Sequence, residues 1–322
     1  MSVPPAPASG FRRHLPTAGV LLAAAVLWPF LLPTPAAHGT GSQAVALVLI
    51  GLSLTVTVGW LRVVTLFQPA AVAAGAAATG ALLVRGHGAG VALAGAAVLG
   101  GIAGMLALAP AAADPRRWLP ATSLLLTVAT GLVVPRYVFR PLAPPALLGM
   151  DLGRHRTLYF TGLAVAALAC AVVGALQRAR FGRRLLTVGA GAGAGDVPGS
   201  PRPWVEGVAL SGALAGIAGW VGMILHEGLP SPLDFAPTTA IAYLAIPLLG
   251  GAWSIAGALV GAAVFLLAAR IALAMGHAAV TLPAVLLVVA AVMGRPGGLA
   301  GWATRVGATG RAAQLLRRLR LG

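Results

Sequence analysis

Residues 89–110 read A-G-V-A-L-A-G-A-A-V-L-G-G-I-A-G-M-L-A-L-A-P, 22 consecutive residues without a charge. A helix rising about 1.5 Å per residue needs roughly 20 mainly apolar residues to cross the hydrocarbon core of a bilayer. This stretch is long enough, so it predicts a transmembrane helix. Working outward, similar apolar stretches lie at about 17–33, 43–61, 63–84, 119–139, 157–177, 204–226, 237–250, 255–275 and 279–294. Composition points the same way. The 322 residues are 59% hydrophobic and 9% charged, with mean hydropathy +0.93. An ordinary soluble domain carries about 25% charged residues, and so few charges cannot cover a solvated surface. The chain reads as an all-α integral membrane protein. We expect a polytopic helical bundle of about 8–10 transmembrane helices, some broken by Pro or Gly. Residues 1–16 form an N-terminal tail, 17–299 the membrane domain and 300–322 a basic C-terminal tail. The stretch 17–33 follows Arg12 and Arg13 and precedes Pro-Thr-Pro-Ala-Ala. It reads as an uncleaved span rather than a signal peptide, because further spans follow at once.

All 22 basic residues are arginine. A phosphate-binding loop of the form G-x-x-x-x-G-K-[ST] needs its lysine to reach the nucleotide's phosphates. No such loop exists here, so the chain is expected to bind no cofactor, and any ATP that drives it is hydrolysed by another subunit. The net charge of +16 does not point to nucleic acid, because the arginines sit at the ends of apolar segments. Orientation in the bilayer and contact with anionic lipid headgroups explain them better. If every stretch spans and the N-terminus is inside, 16 of the 22 arginines fall on the inner side. Arg85, Arg136, Arg140, Arg154 and Arg156 fall at or near the outer surface, and Arg270 falls within a span. The bias satisfies the positive-inside rule and makes both termini cytoplasmic. The 140–156 loop is its weak point, with three arginines on the outer side. The longest inner loop is 178–203. The tail ends G-R-A-A-Q-L-L-R-R-L-R-L-G, which reads equally as an amphipathic helix on anionic lipid or as a frayed basic tail. The single Cys170 lies in an apolar run and reads as a structural thiol.

Two apolar regions are interrupted in matching ways. Gly59 to Ala76 carries Pro69 in mid-run, with Arg62 and Gln68 nearby. Ile246 to Ala263 carries Pro247 and the pair Gly250-Gly251. Proline removes a backbone donor, and in lipid the freed groups must be satisfied by protein or by a water-lined cavity. Broken segments in two halves of a chain point to a transport pathway. Close helix packing through small residues, as in Gly257-x-x-x-Gly261, is the competing reading.

These segments also carry a resemblance. Leu54 to Ala76 reads L-T-V-T-V-G-W-L-R-V-V-T-L-F-Q-P-A-A-V-A-A-G-A. Further on come Arg180-Phe181-Gly182-Arg183, S-G-A-L-A-G-I-A-G from Ser211 to Gly219, and Ser231-Pro232-Leu233-Asp234-Phe235. L-G-G-A-W-S-I-A-G-A-L-V-G-A from Leu249 to Ala262 and Arg295-Pro296-Gly297-Gly298-Leu299 complete the series. In this order the pieces resemble the permease subunit of branched-chain amino acid ABC transporters. Arg62 and Pro69 depart from the family's first motif. The resemblance implies a translocation subunit that works with separate ATP-binding cassette subunits, a second permease subunit (the same or different) and an extracytoplasmic substrate-binding protein. It implies a multi-pass protein of a bacterial plasma membrane, moving branched-chain or other hydrophobic amino acids; related permeases handle urea, amides or sugars. It also implies that an acidic, Ala-rich helix docks in the ATPase. Here the corresponding stretch, Gly189 to Gly199, is G-A-G-A-G-A-G-D-V-P-G. Glycine costs about 1 kcal/mol per position relative to alanine inside a helix, so this stretch is not a stable helix alone. Either the ATPase orders it, or coupling is altered, or the chain is a divergent paralogue.

The candidate residues follow. The hydroxyls of Thr55, Thr57 and Thr65 and the Gln68 amide can hydrogen-bond a zwitterion, and with Gly59, Gly250, Gly251 and Ser254 of the interrupted motifs they form the expected substrate pathway. Arg183, Arg184, Ala194, Asp196 and Gly199 are the expected ATPase-coupling residues. Arg62 reads as an inner-interface anchor or as a pathway residue. His226-Glu227 at the end of a span reads as structural or gating, because H-E-x-x-H is absent. The remaining histidines form no metal spacing. Asp151 and Asp234 read as solvated loop residues. A stand-alone channel or carrier, or a non-transporting scaffold, remains the alternative function. A membrane enzyme is opposed by the lack of clustered acids, histidine or cysteine within spans.

Overall fold

A computed structural model describes residues 34–137, 145–147, 149–191, 201–226, 236–278 and 281–293. The N-terminal tail, the stretch 17–33, the basic tail 300–322 and the residues Ala194, Asp196, Gly199, Glu227 and Asp234 lie outside the described residues.

The described chain is built of helices. α1 is Pro35–Leu54 and runs on as a π-helix over Thr55–Trp60. α2 is Gln68–Val84, α3 is Ala89–Leu108 with a 3-10 turn at Ala109–Ala111, and α4 is Pro115–Tyr137. A two-residue hairpin pairs β1, Ala146–Leu147, antiparallel with β2, Met150–Asp151. α5 is His155–Arg178, α6 Arg180–Gly189 and α7 Arg202–Leu225. Two short helices, α8 Pro237–Tyr243 and α9 Ala245–Gly250, precede α10, Ile255–Ala274, and α11, Thr281–Met293. Among the described residues, five segments are long and apolar enough to cross a membrane: Pro35–Trp60, Ala89–Ala111, His155–Arg178, Arg202–Leu225 and Ile255–Ala274. Gln68–Val84 and Pro237–Gly250 are apolar but shorter. Large apolar side chains such as Val98, Leu106, Leu125, Leu168 and Leu267 stand on the outside. Exposed aliphatics spread over several helices suit hydrocarbon, not water.

Helix starts follow their local chemistry. Thr34 caps α1 by accepting the Ala37 N–H at 3.2 Å, with Pro35 at the first helical position. Ser254 caps α10 by accepting the Gly257 N–H at 2.9 Å.

α7 is the central helix, packed against α1, α2 and α3. Lipid tails are as apolar as leucine, so helices associate by close packing and buried hydrogen bonds. The S-G-A-L-A-G-I-A-G stretch supplies both. Ser211 Oγ lies 2.8 Å from Ser53 Oγ and 3.0 Å from the Ser53 carbonyl oxygen. A Cβ on Gly75 would sit 2.6 Å from Gly216 Cα, so only glycine allows α2 and α7 this approach. Trp220 Nε1 donates to the Ala89 carbonyl at 3.1 Å and fixes the far end of α7 to the start of α3.

Residues expected on one side of the membrane gather at one end of the bundle. A Cβ on Gly189 would collide with the Trp60 carbonyl oxygen, and Arg116 Nη2 donates to the Val188 and Gly189 carbonyls. Gln177 Nε2 donates to the Trp253 carbonyl at 3.3 Å. At the opposite end Gly90 faces Leu147, and Arg270 donates to Thr40 Oγ1 at 2.8 Å and Gln43 Oε1 at 2.6 Å. Those two partners lie in the first half of α1, so Arg270 reaches toward the bundle's edge.

Three expectations need correction. The 178–203 loop contains a helix, α6, whose arginines alternate with the buried Gly182 and Leu185. Pro69 does not break a helix in mid-run: it stands at the first turn of α2, where its missing N–H has no partner to lose. The span 237–250 is two short helices rather than one. Past the end of α6, Gly191 has a φ of +82°, outside the helical region.

Candidate translocation site

The two interrupted regions meet. After the π-helix, Arg62 adopts φ +56°, the one positive φ of a non-glycine residue among those described. A left-handed conformation costs an L residue roughly 1–2 kcal/mol, so the surrounding structure holds it in place. The chain then runs without helix until Gln68. Several of its backbone groups find partners in neighbouring segments. Val63 N–H donates to the Thr57 carbonyl at 3.1 Å. Leu66 N–H donates to Ser123 Oγ at 3.0 Å, and the Leu66 carbonyl accepts the Thr127 hydroxyl. α4 thus provides the hydroxyls that a non-helical segment at membrane depth requires.

Inside this turn lies a short polar chain. Gln68 Nε2 donates to Thr65 Oγ1 at 2.8 Å, and Thr65 Oγ1 donates to Thr57 Oγ1 at 2.9 Å. All three side chains are buried, Thr57 and Thr65 completely. Buried polar groups strengthen one another in a low dielectric, and separating them without new partners is expensive. A passing zwitterion can offer such partners, because two hydroxyls and an amide both donate and accept.

The other interrupted region packs directly on the first. A Cβ on Gly59 would meet the carbonyl of Ala252, 3.1 Å from its carbon and nearer still to its oxygen. Gly251, at φ +111°, turns the chain out of α9. Trp253 then places its ring 4.7 Å from Arg62 Cζ, a cation–π distance. Arg62 and Trp253 both remain exposed, Trp253 at 38%.

The structure therefore divides the expected pathway residues. Thr57, Thr65 and Gln68 come together, with Gly59 beside them at the contact. Thr55 is occupied by its own helix, donating to the Gly51 carbonyl at 2.9 Å. Ser254 is a helix cap. Gly250 packs on Gly257, and Gly261 packs on Ile246, so the small-residue reading accounts for these three glycines. On α6, Arg183 is exposed and Arg184 half-buried. Asp151 accepts the Gly153 N–H at 2.8 Å and pairs with Arg154 at 3.7 Å, and His226 ends α7. Trp253, Ser123 and Thr127 were not singled out from the sequence, since nothing local marks a partner about sixty or more residues away. Trp60 was missed as well: it follows Gly59 at the end of the π-helix, and its indole Nε1 is buried with no hydrogen-bond partner among the described residues.

The family model of the permease component of branched-chain amino acid transport systems matches residues 39–293. No curated protein and no solved structure matches the chain. The matched region contains both interrupted segments, the central α7 and the polar chain. The protein is a multi-pass membrane transport subunit, and it belongs to the branched-chain amino acid transport permease family.

Proposed function

We propose that the chain is the translocation subunit of an ABC importer for branched-chain or other hydrophobic amino acids, and that substrate passes along the junction of the two interrupted segments. The observation that carries this reading is the junction itself. Gly59 against Ala252 and Arg62 over Trp253 join two non-helical turns, and the Thr57–Thr65–Gln68 chain lies buried behind them. Alternating access needs two conformations with the site open to one side at a time. A junction made of a few close contacts between short segments is where such a change is least costly.

The end bearing α6 faces the cytoplasm in this reading, in line with the inner arginine bias. α6 then presents Arg183 to an ATP-binding cassette subunit while its buried side rests on Trp60 and Leu61. Movement of α6 would reach the junction through that contact. ATP is hydrolysed by the partner, because the chain has no lysine for a phosphate loop. A second permease subunit completes the pathway, and an extracytoplasmic binding protein delivers the substrate. The Gly-rich 189–199 stretch favours one competing reading, a carrier that works without an ATPase.

Co-expression with the candidate ATPase subunits, followed by purification through a tag on this chain, separates the two. The importer reading expects an isolable complex whose ATP hydrolysis rises with loaded binding protein, and no hydrolysis by the chain alone. Substrate flux through liposomes containing only this chain would favour the carrier.

A further inference from the structure

We infer that Arg116 is a positioning residue for the buried polar chain, acting through α4 to hold the non-helical residues 61–67 to the end of α6. Arg116 lies in the first turn of α4, exposed at the end of the bundle that carries α6. Its Nη2 donates to the Val188 carbonyl and, at 3.3 Å, to the Gly189 carbonyl. These carbonyls close the last turn of α6, where the helix runs out of its own i+4 donors and its dipole favours a cation. A Cβ on Gly191 would meet Arg116 Nη1 at 3.4 Å, so the guanidinium sits against the point where the helix stops. Orienting the chain in the bilayer needs only a charge at this level. It does not account for a guanidinium seated on two carbonyls 72 and 73 residues further along.

The same helix grips the segment at its other end. Ser123, about two turns beyond Arg116, accepts the Leu66 N–H at 3.0 Å and donates to the Pro120 carbonyl at 2.9 Å. Thr127, about one turn further, donates to the Leu66 carbonyl. α4 therefore fixes both backbone groups of Leu66, the residue next to Thr65, which Gln68 bonds at 2.8 Å. The near end of the segment touches α6 directly. A Cβ on Gly189 would lie 3.0 Å from the Leu61 carbonyl carbon and nearer still to the Trp60 carbonyl oxygen. Gly189 thus carries both links: its Cα rests on Trp60 and Leu61, and its carbonyl accepts from Arg116. α6 and α4 close a ring of contacts around residues 61–67, and Arg116 joins the two helices within it. Displacing α6 shifts Leu61 at one end and, through Arg116, Leu66 at the other, and the Thr65–Gln68 pair moves with them. The link itself needs no transport activity; that a partner subunit moves α6 rests on the importer reading.

The test is amide hydrogen exchange, read by mass spectrometry on the full chain purified in detergent. Arg116→Ala should speed exchange several-fold in residues 61–67 and in the last turn of α6, while α10 keeps the wild-type rate. The variant should fold, because Arg116 is exposed and water can take over the two carbonyls. Arg117→Ala removes the neighbouring charge, whose Cζ lies 5.4 Å from the Trp118 ring centroid, and should leave 61–67 unchanged. Ser123→Ala releases Leu66 directly and should speed the same segment. Adding Arg116→Ala to it should speed 61–67 little further, because both act on one link. Unchanged exchange of 61–67 in Arg116→Ala, an equal rise over the whole chain, or the same rise in Arg117→Ala would overturn the link. So would full additivity of Arg116→Ala and Ser123→Ala. In the assembled complex in proteoliposomes, Arg116→Ala should lower the substrate moved per ATP hydrolysed several-fold while hydrolysis itself persists, and an unchanged ratio would overturn the positioning role. A wild-type complex without ATP-driven uptake would count against the importer reading instead, and the exchange rates would still decide the role of Arg116.

Discussion

Replacing Gly59 with alanine tests the junction at its tightest point. The new Cβ would sit 3.1 Å from the Ala252 carbonyl carbon and nearer still to the oxygen, whereas ordinary contact begins at 3.4 Å. Both sides of this contact are backbone, so no side chain can swing away. The π-helix or the 250–254 turn must move, by on the order of 1 Å, and overpacking of this kind costs typically about 1–3 kcal/mol. Alanine returns up to about 1 kcal/mol through its better helix propensity. With the full propensity gain subtracted, a net loss of up to about 2 kcal/mol remains. Gly222→Ala is the matched control: it is also helical, and nothing lies within 4 Å of its Cβ position. Only the propensity gain applies there. The assay is the apparent melting temperature of each purified variant in the same detergent at one scan rate, since membrane proteins often unfold irreversibly. Gly59→Ala should melt below wild type and Gly222→Ala at or above it. Equal melting of the two variants would refute the close approach of Gly59 and Ala252, and with it the junction.

Other predictions follow from the same contacts. Arg62→Gln and Trp253→Ala should be coupled: a double-mutant cycle on stability should give about 0.5–2 kcal/mol, and additive losses would mean that the pair does not interact. Gly191→Ala should weaken association with the ATPase subunit, because φ +82° strains a side chain; tighter association would restore the helical-docking idea for this stretch. In a Cys170→Ala background, Ser200→Cys should resist an impermeant thiol reagent added outside intact cells. Labelling from outside would invert the proposed orientation.

Much of the fold was legible because lipid imposes one rule on every span. An apolar run of the length of 89–110 has to be a helix, and α3 occupies it. Breaks were harder to place. Around Pro69 the composition stays apolar on both sides, so the sequence does not separate a kink within a helix from a helix start; the left-handed Arg62 and the hydroxyls of α4 decide it. α6 was hidden in an apparent loop because R-F-G-R-R-L-L-T-V-G is amphipathic and short, and its helix is stabilised by burying Gly182 and Leu185 against the bundle. In the candidate site, Thr57, Thr65 and Gln68 were found as hydrogen-bonding side chains near a break, a local signal. Thr55 and Ser254 gave the same signal, yet their partners are backbone groups of their own helices. Trp253 gave none, because its partner Arg62 comes from the other half of the chain.

The central claim is that substrate crosses at the junction under power from a separate ATPase. The most direct measurement is uptake of radiolabelled leucine by proteoliposomes containing this chain, its second permease subunit and the ATPase subunits, with binding protein outside and ATP inside. The account predicts ATP-dependent uptake that falls sharply in Gln68→Ala and Gly59→Ala while assembly of the complex persists. Full uptake by both variants, or uptake unaffected by removing ATP, would contradict it.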